Sequence, residues 1–222
     1  AKPGQFISVY SNDDSKLLPR PISICEIDRE NGRLRIVYRV VGYGTKEFSG
    51  CKAGDTLEIM GPLGNGYTLK KDKAILVAGG IGVPPMLELA KELDCEKTIV
   101  LGYRDELFLN KEFEQYGKVV IATEDGSCGT KGNVLDAIRA ESVDGQVIYS
   151  CGPTPMLRAL KQYAADKGIE AWISLEEKMA CGIGACLACV CKSTDIDSHS
   201  MVKNKRICKD GPVFDAMEVD FS

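Results

Sequence analysis

The sequence lacks a long hydrophobic segment and a marked excess of either charge, and its first residues do not have the pattern expected of a signal peptide. No uninterrupted apolar run of about 18 residues occurs in it, so no membrane span is expected. The formal net charge is only −4, which gives no reason to expect a nucleic-acid partner. Residues 1–6 contain no charged segment followed by an apolar one, so they are not typical of a signal peptide. We therefore expect a cytoplasmic protein.

Cysteine, by contrast, is abundant, and its distribution indicates its use. The chain contains ten cysteines, and five of them fall between residues 181 and 208. A secreted disulfide scaffold would spread its cysteines along a shorter chain. The apolar content of 44% and the charged content of 27% are typical of a globular protein. The clustered cysteines therefore favour ligation of a metal ion or an iron–sulfur cluster.

Short strands dominate residues 1–70. The predicted strands are rich in β-branched or aromatic residues and end at turn-forming residues; they span 6–10, 21–27, 34–41 and 56–60. The Asn31-Gly32 pair predicts a tight hairpin turn. We expect an antiparallel β-barrel or small sheet in this domain, although four or five strands are few for a closed barrel.

Strands and helices alternate between residues 71 and 171. The run Ala74–Ala78 is apolar throughout, as expected for a strand that is buried on both faces. Similar strands are predicted over 98–101, 118–123, 146–150 and 170–174, with helices over 84–93, 110–116, 132–140 and 155–167. This alternation predicts a parallel sheet with right-handed crossovers, in a nucleotide-binding α/β domain. Residues 172–222, in which cysteine and glycine dominate, are predicted to form a small third domain.

The cysteine spacing in the third domain is C-x4-C-x2-C followed by a distant cysteine, which is the plant-type [2Fe–2S] pattern. The predicted ligands are Cys181, Cys186, Cys189 and Cys208. Four thiolates are needed for two irons, and a short loop must wrap the cluster with its amides turned inward. Gly182 and Gly184 permit such a backbone.

Two alternatives compete with this interpretation. A structural zinc site usually takes paired C-x2-C elements, and only one such pair is present here. Cys191 lies two residues after Cys189 and competes with Cys208 for the fourth position. Because wrapping loops draw their last thiolate from a distant segment, the spacing favours Cys208.

A second set of motifs is typical of flavin binding. Arg20-Pro-Ile-Ser23 opens a strand, where an arginine can neutralise a pyrophosphate and a serine hydroxyl can bond a flavin ring nitrogen. Gly42-Tyr-Gly44-Thr45 leads into a predicted helical turn, where glycine amides are open to phosphate. Each of these motifs alone is more often a solvated strand end or a turn, as is Gly61–Gly66. Their order along the chain makes the combination more specific.

These motifs resemble those of known families. The first two domains resemble the ferredoxin–NADP reductase superfamily, and the whole chain resembles the electron-transfer subunits of bacterial type B dihydroorotate dehydrogenases. The motifs are Arg20-Pro-Ile-Ser23, Gly42-x-Gly44-Thr45, Ala78-Gly-Gly-Ile-Gly-Val-Pro-Pro85, Ser150-Cys-Gly-Pro153, Ser174-Leu-Glu-Glu-x-Met-Ala-Cys-Gly-Ile-Gly-Ala-Cys-Leu-Ala-Cys189 and Cys208-Lys-Asp-Gly-Pro-Val-Phe214. The last two are the specific ones, and the first four are shared across the superfamily.

The resemblance implies where FAD and the cluster bind. FAD contacts are implied for Arg20, Pro21, Ile22, Ser23, Val37, Tyr38, Arg39, Gly44 and Thr45, and cluster ligation for the four cysteines named above. The family normally has extra N-terminal residues that complete the flavin barrel. The stretch 193–206, which includes the only histidine, His199, is also longer than usual.

A nicotinamide site is predicted at two strand ends of the α/β domain, where ligands bind in open sheets. The predicted contact residues are Gly79, Gly80, Gly82, Cys151 and Gly152. The first segment is not the G-x-G-x-x-G fingerprint, and a tight strand–helix turn is the alternative interpretation. Cys151 is either close to the nicotinamide or a buried structural thiol. Arg104 would favour NADP and Asp105 would oppose it, while the resemblance favours NAD.

The order nicotinamide, FAD and [2Fe–2S] predicts a converter between two-electron and one-electron transfer. It needs no catalytic side chain of its own. The resemblance implies an oxidoreductase subunit that joins an FMN-containing catalytic subunit of dihydroorotate dehydrogenase, as a hetero-oligomer in pyrimidine biosynthesis, and that does not turn over dihydroorotate alone. The alternatives are the small subunit of a bifurcating NADH-dependent ferredoxin–NADP oxidoreductase, a hydrogenase diaphorase subunit, or a non-catalytic redox or zinc module.

Overall fold

The computed structural model describes residues 1–198 and 200–222. His199, within the long stretch 193–206, lies outside the described residues. The strands in chain order are β1 (Phe6–Val9), β2 (Arg20–Asp28), β3 (Arg33–Ile36), β4 (Ile59–Leu63), β5 (Ala74–Gly79), β6 (Lys97–Tyr103), β7 (Lys118–Thr123), β8 (Thr130–Lys131), β9 (Val147–Cys151), β10 (Glu170–Ser174), β11 (Val190–Lys192), β12 (Asn204–Arg206) and β13 (Val213–Asp215). The α-helices are α1 (Tyr43–Phe48), α2 (Pro85–Glu92), α3 (Asn110–Phe113), α4 (Val134–Ala140) and α5 (Thr154–Lys167).

The N-terminal sheet is antiparallel, with strand order β3-β2-β1-β4. Asp28 pairs with Arg33, so a four-residue loop joins β2 to β3 where the Asn31-Gly32 pair predicted a tight turn, and Gly32 at the end of this loop has a φ of 62°. The third predicted strand, over 34–41, was too long, because regular pairing of β3 with β2 ends at the Ile24↔Ile36 pair. The fourth, over 56–60, begins later, since β4 pairs with the short β1 and only from Ile59 onward.

The central sheet has seven strands in the order β13-β10-β9-β5-β6-β7-β8. Strands β5, β6, β7, β9 and β10 are parallel and match the five strands predicted from apolar runs. All six residues of β5 are buried, because helices cover both faces of the sheet. The four helices predicted in this region are present, α3 being shorter than expected. The predicted combination of an antiparallel β unit and a parallel α/β unit is confirmed.

Sequence chemistry explains where the helices begin and end. The Asn133 side chain accepts hydrogen bonds from the N–H groups of Leu135 and Asp136, while the Asp136 carboxylate accepts one from Asn133. This reciprocal cap begins α4. Helix α5 ends at Gly168, which has a φ of 66°, as is common at helix C-termini. None of the helices in residues 1–198 and 200–222 is long and apolar enough to cross a membrane.

The C-terminal segment is tied to the central sheet. Strand β13 pairs antiparallel with β10, through Trp172↔Asp215, Ile173↔Phe214 and Ser174↔Val213. Strands β11 and β12 form a separate two-stranded ribbon. The segment predicted as a small third domain therefore contributes a strand to the sheet of the second. The domain boundaries after residues 70 and 171 stay a prediction.

Candidate cofactor-binding site

Four cysteines lie as two neighbouring pairs at the end of the central sheet. The backbone N–H of Ala185 donates to Sγ of Cys181 at 3.3 Å, and the Cys186 thiol is hydrogen-bonded to the Cys181 thiol. In the second pair, the N–H of Cys208 donates to Sγ of Cys189 at 3.4 Å. Sequence spacing alone had predicted these four residues as ligands, and the fold brings them together.

The two cysteine pairs match the ligand set of a two-iron cluster. Across the residues that the structure describes, no three or more His, Cys, Asp or Glu side chains converge on a point that could hold a single metal ion. A [2Fe–2S] cluster held by four cysteines takes two thiolates on each iron, so two adjacent pairs fit it.

The loop around the first pair stabilises the thiolate form of Cys181. Burial alone would raise the pKa of Cys181, but the backbone N–H groups of the loop lower it to about 6. In the second pair, burial and then the Cys189 thiol raise the pKa of Cys208 to about 12. Inward-facing amides are the groups that stabilise thiolate and sulfide charge. The loop therefore supplies donors where a cluster would place its sulfur atoms.

Left-handed backbone conformations shape the loop. Gly182 and Gly184 have φ values of 69° and 85°, as the sequence predicted. Leu187 also has a positive φ, of 57°, which is uncommon for a residue with a branched side chain. Nothing in the local sequence signalled that conformation.

The competing thiol, Cys191, lies on β11, opposite Lys205. Burial raises its pKa to about 11, and it packs against the core with the apolar side chains around it. Cys208 is in electrostatic contact with both Cys189 and Cys181. The structure therefore gives Cys208 more neighbours among the other three cysteines, while the choice between the two thiols stays a prediction.

An ion pair fixes the segment that leads to Cys208. The Arg206 guanidinium contacts the Asp210 carboxylate at 3.1 Å, and the same carboxylate accepts a 2.8 Å hydrogen bond from the Arg206 N–H. The Arg206 side chain also donates to the carbonyl of Gly184 at 3.4 Å. One arginine thus joins the two cysteine-bearing segments. Arg206 was not predicted from the sequence, although its position two residues before a ligand is a usable signal.

Asn65 joins the N-terminal sheet to the segment after Cys208. Its backbone N–H donates to the carbonyl of Gly211 at 2.7 Å. Its side-chain amide donates to the carbonyls of Lys209 and Asp210 at 3.2 and 3.0 Å. The motif Gly61–Gly66 was predicted as a turn or flavin motif, and its asparagine has this additional structural role.

The predicted flavin residues lie on β2, after β3 and on α1. A Cβ added at Gly44 would lie 3.1 Å from Nε of Arg20, so the arginine side chain crosses directly over the start of the helix. Tyr38 packs edge-on against Phe48 of the same helix, with ring centroids 6.4 Å apart. The structure therefore brings the three predicted flavin segments together on one side of the N-terminal sheet.

The Thr45 hydroxyl is used within its own loop. It accepts hydrogen bonds from the N–H groups of Val41 and Gly42 at 3.0 and 3.1 Å, and it donates to the Gly42 carbonyl at 3.1 Å. Its side chain therefore holds the turn that begins α1. Arg39, by contrast, is exposed, which leaves its guanidinium open to solvent or to a ligand.

The two predicted nicotinamide segments are in direct contact. Strands β5 and β9 are neighbours, and Ala78 pairs with Cys151 at their carboxyl ends. A Cβ added at Gly82 would lie 2.6 Å from the backbone nitrogen of Gly152, so only glycine fits there. Gly80 has a φ of 52° with open space above its Cα. The strand ends thus meet at one edge of the sheet, as ligand sites in open α/β sheets require.

Cys151 itself is fully buried. Burial raises the pKa of its thiol to about 12, so the side chain is neutral and is not an activated nucleophile. Arg104 and Asp105 are both exposed at the end of β6. Direct contact of Cys151 with a nicotinamide stays a prediction.

Comparison with known families gives two matches along the chain. Residues 1–67 match the oxidoreductase FAD-binding domain, and residues 176–220 match the iron–sulfur cluster binding domain of dihydroorotate dehydrogenase B. These regions contain, respectively, the predicted flavin residues and the four cysteines.

Curated relatives match nearly the whole chain. The electron transfer subunit of dihydroorotate dehydrogenase B (NAD(+)) from Fusobacterium nucleatum subsp. nucleatum is 45% identical, over 98% of this chain and 86% of the relative. The protein of the same name from Geobacillus sp. (strain WCH70) is 46% identical, with the same two coverages.

Solved structures show the same fold. A structure of the NADH-dependent reduced ferredoxin–NADP oxidoreductase, described for flavin-based electron bifurcation, superposes with a TM-score of 0.87 at 32% identity, covering 100% of this chain and 80% of that one. A ferredoxin NADP+ reductase from Neisseria gonorrhoeae with bound FAD and NADP has a TM-score of 0.56 at 17% identity, covering 80% and 82%. The second likeness concerns the fold alone.

Proposed function

The chain belongs to the family of electron-transfer subunits of NAD(+)-dependent dihydroorotate dehydrogenase B, and we propose that it carries electrons between an FMN-containing catalytic subunit and NAD in pyrimidine biosynthesis. It is an oxidoreductase subunit of a hetero-oligomer and does not turn over dihydroorotate by itself. The observation that carries this proposal is the pairing of four cysteines against a sheet that presents the flavin motifs.

The residues present suit the cofactors. Bound FAD would exchange a hydride with NAD and single electrons with a [2Fe–2S] cluster. Arg20, Pro21, Ile22, Ser23, Val37, Tyr38, Arg39, Gly44 and Thr45 would hold FAD. Gly79, Gly80, Gly82, Cys151 and Gly152 would line the NAD site, and Cys181, Cys186, Cys189 and Cys208 would hold the cluster.

Each group of residues has a distinct task in this proposal. Arg20 supplies positive charge beside the amides at the start of α1, which suits a pyrophosphate. Gly82 lies against Gly152 with no side chain between them. The carboxyl ends of the two strands are therefore open to a flat nicotinamide ring. The inward amides around Cys181 stabilise sulfur charge. The three units would comprise residues 1–70, 71–171 and 172–222, and the cytoplasm is the proposed location.

The likeness to the bifurcating oxidoreductase supports a second candidate, in which the chain is the small flavin and iron–sulfur subunit of such an enzyme. Identity is 32% in that comparison and 45% with the dihydroorotate dehydrogenase subunit. The match of residues 176–220 also favours the pyrimidine pathway. The catalytic partner distinguishes the two, because only one of them oxidises dihydroorotate.

The test is anaerobic purification of this chain with its native partner, with both flavins identified. We expect FAD and two irons per copy of this chain, and dihydroorotate-dependent reduction of NAD+ by the complex. Without the partner, the chain should oxidise NADH with an artificial acceptor and leave dihydroorotate unchanged. A colourless protein with stoichiometric zinc, or a complex that reduces ferredoxin and ignores dihydroorotate, would contradict the proposal.

A further inference from the structure

Ser8, in the middle of β1, has a buried hydroxyl without a partner. Its exposed fraction is 1%, and its Oγ makes no hydrogen bond within the described part of the chain. A buried hydroxyl that loses its bond to water and gains none in return destabilises the fold. Such a group therefore indicates an acceptor that the polypeptide itself does not supply.

The position of Ser8 in the sheet defines what it faces. It pairs with Pro21 on β2 and with Met60 on β4. Side chains alternate between the two faces of a strand, and Ile7 and Val9 point into the core of the N-terminal sheet. Ser8 therefore points to the opposite face, together with its partner Pro21.

That opposite face is the one that meets the cysteine segment. Phe6, two residues before Ser8, packs in the same core cluster as Cys189 and Cys208. Phe6 also pairs with Ser23, one of the proposed flavin-binding residues. Strand β1 thus lies between the strand that would bind the flavin and the segment that would bind the cluster.

The chain segment nearest to the hydroxyl is the cluster loop. A Cβ added at Gly182 would lie 3.2 Å from Oγ of Ser8, 3.3 Å from Leu63 and 3.4 Å from Met60. Gly182 follows Cys181 directly, so the hydroxyl lies against the backbone beside the first ligand. The hydroxyl is inaccessible to solvent, and a Cβ at Gly182 would meet it at close range, so the glycine lets the loop backbone pack directly on Ser8.

We propose that Ser8 donates a hydrogen bond to a sulfur atom of the [2Fe–2S] centre held by this loop, either the Cys181 thiolate or a sulfide, and thereby raises its reduction potential. The inference rests on the proposed function. A reduced centre carries one more negative charge than the oxidised one, so a donor to sulfur stabilises the reduced form more. Ser8 is a positioning residue in this account, since it takes part in no bond that is made or broken.

The test compares three variants in the intact complex with its partner. Ser8→Ala removes the donor, Ser8→Thr keeps it on a side chain that suits a strand, and Ser193→Ala is the matched control. Ser193 is also buried, and its hydroxyl already donates to the Asp195 carbonyl at 2.7 Å. The cluster potential is measured by redox titration followed by electron paramagnetic resonance, and the flavin potentials by absorbance.

We expect Ser8→Ala to lower the reduction potential of the cluster by up to about 59 mV. For a one-electron couple this corresponds to a tenfold change in the equilibrium between the oxidised and reduced forms. Ser8→Thr should restore most of this shift, and Ser193→Ala should leave the potential unchanged. An unchanged cluster potential in Ser8→Ala, or a shift confined to a flavin, would overturn the inference. A wild-type complex without any cluster would instead refute the proposed function, so the two failures are distinguishable.

Discussion

The carboxylate of Glu88 on α2 accepts a hydrogen bond of 2.8 Å from the backbone N–H of Ile27 on β2. The Glu88 side chain is completely buried, with Lys91 at 3.6 Å and Arg29 at 3.9 Å. Burial raises the pKa of Glu88 above its ordinary value of 4.5, even though the Ile27 N–H and Lys91 favour the charged form. A single carboxyl thus joins the N-terminal sheet to a helix of the central sheet.

Replacing Glu88 with glutamine should remove a component of the pH dependence of stability. A group whose pKa is higher in the folded state stabilises the fold below its unfolded pKa, and this contribution is lost as the pH rises through the folded pKa. The wild type should therefore lose stability relative to Glu88→Gln as the pH rises above about 4.5, by about 1.4 kcal/mol for each unit of pKa shift. Urea unfolding between pH 4 and 8 measures the difference.

Glu141→Gln is the control for this comparison, because Glu141 is exposed and pairs with Lys118 at 3.3 Å, away from Glu88. Its unfolding free energy should follow that of the wild type across the same pH range. Parallel pH profiles for the wild type and Glu88→Gln would show that the buried carboxyl does not titrate with a raised pKa.

Gly182→Ala should release the cluster. Both Gly182 and Gly32 have positive φ, at 69° and 62°, but only Gly182 has neighbours within 4 Å. Alanine at Gly32 therefore costs only the backbone strain of about 1–2 kcal/mol. Alanine at Gly182 adds contact with the N-terminal sheet, so we expect lower iron and sulfide content there and normal content in Gly32→Ala. Equal iron content in the two variants would mean that cluster binding does not require the packing of the loop on β1 and β4.

Cys208→Ser should abolish the iron–sulfur absorption, whereas Cys191→Ser should keep it. The N–H of Cys208 donates to Sγ of Cys189, while Cys191 is half-buried on β11, where it pairs with Lys205. Iron analysis and visible spectra of anaerobically purified variants distinguish the two residues. The opposite result, loss in Cys191→Ser alone, would assign the fourth thiolate to β11.

Asn65→Ala should loosen the attachment between the N-terminal sheet and the segment after Cys208. It removes two side-chain hydrogen bonds, and at this exposed position we expect a loss of about 1–2 kcal/mol in unfolding free energy. Asn31→Ala is the control, since that amide donates to Asp28 three residues away, within the same loop. Hydrogen exchange should rise over 206–214 in Asn65→Ala alone. Equal protection of that segment in both variants would contradict the assigned role.

Local patterns predicted much of this fold because its central strands are buried on both faces. The run Ala74–Ala78 needs no tertiary knowledge to be read as a strand, and the prediction missed only its last residue. The three-residue β13 escaped prediction, since its pairing with β10 joins positions about forty residues apart. A strand this short is defined by its partner and not by its own composition.

Some side chains could not be predicted from local sequence patterns, because segments distant in the sequence bury them. Glu88 and Lys91 have the spacing of an ordinary surface pair on a helix, yet β2 covers the carboxylate. Ser8 follows the alternation of a half-buried strand, and only the position of the loop at Gly182 shows that its second face is covered as well. The cysteines, by contrast, were predictable, because ligand spacing is a local property.

Strand β13 begins five residues after Cys208 and pairs with β10 through three consecutive residue pairs. Cys208 therefore lies in a short segment that is held at both ends. One end is fixed by the contact with Cys189 and the other by the pairing of β13 in the central sheet. A domain that moves between an electron donor and an electron acceptor needs a hinge. A hinge at this position would require β13 to separate from β10. Electron transfer through this chain therefore does not depend on movement of the cluster segment. Its rate is governed by the distances between the bound cofactors, which the fold sets.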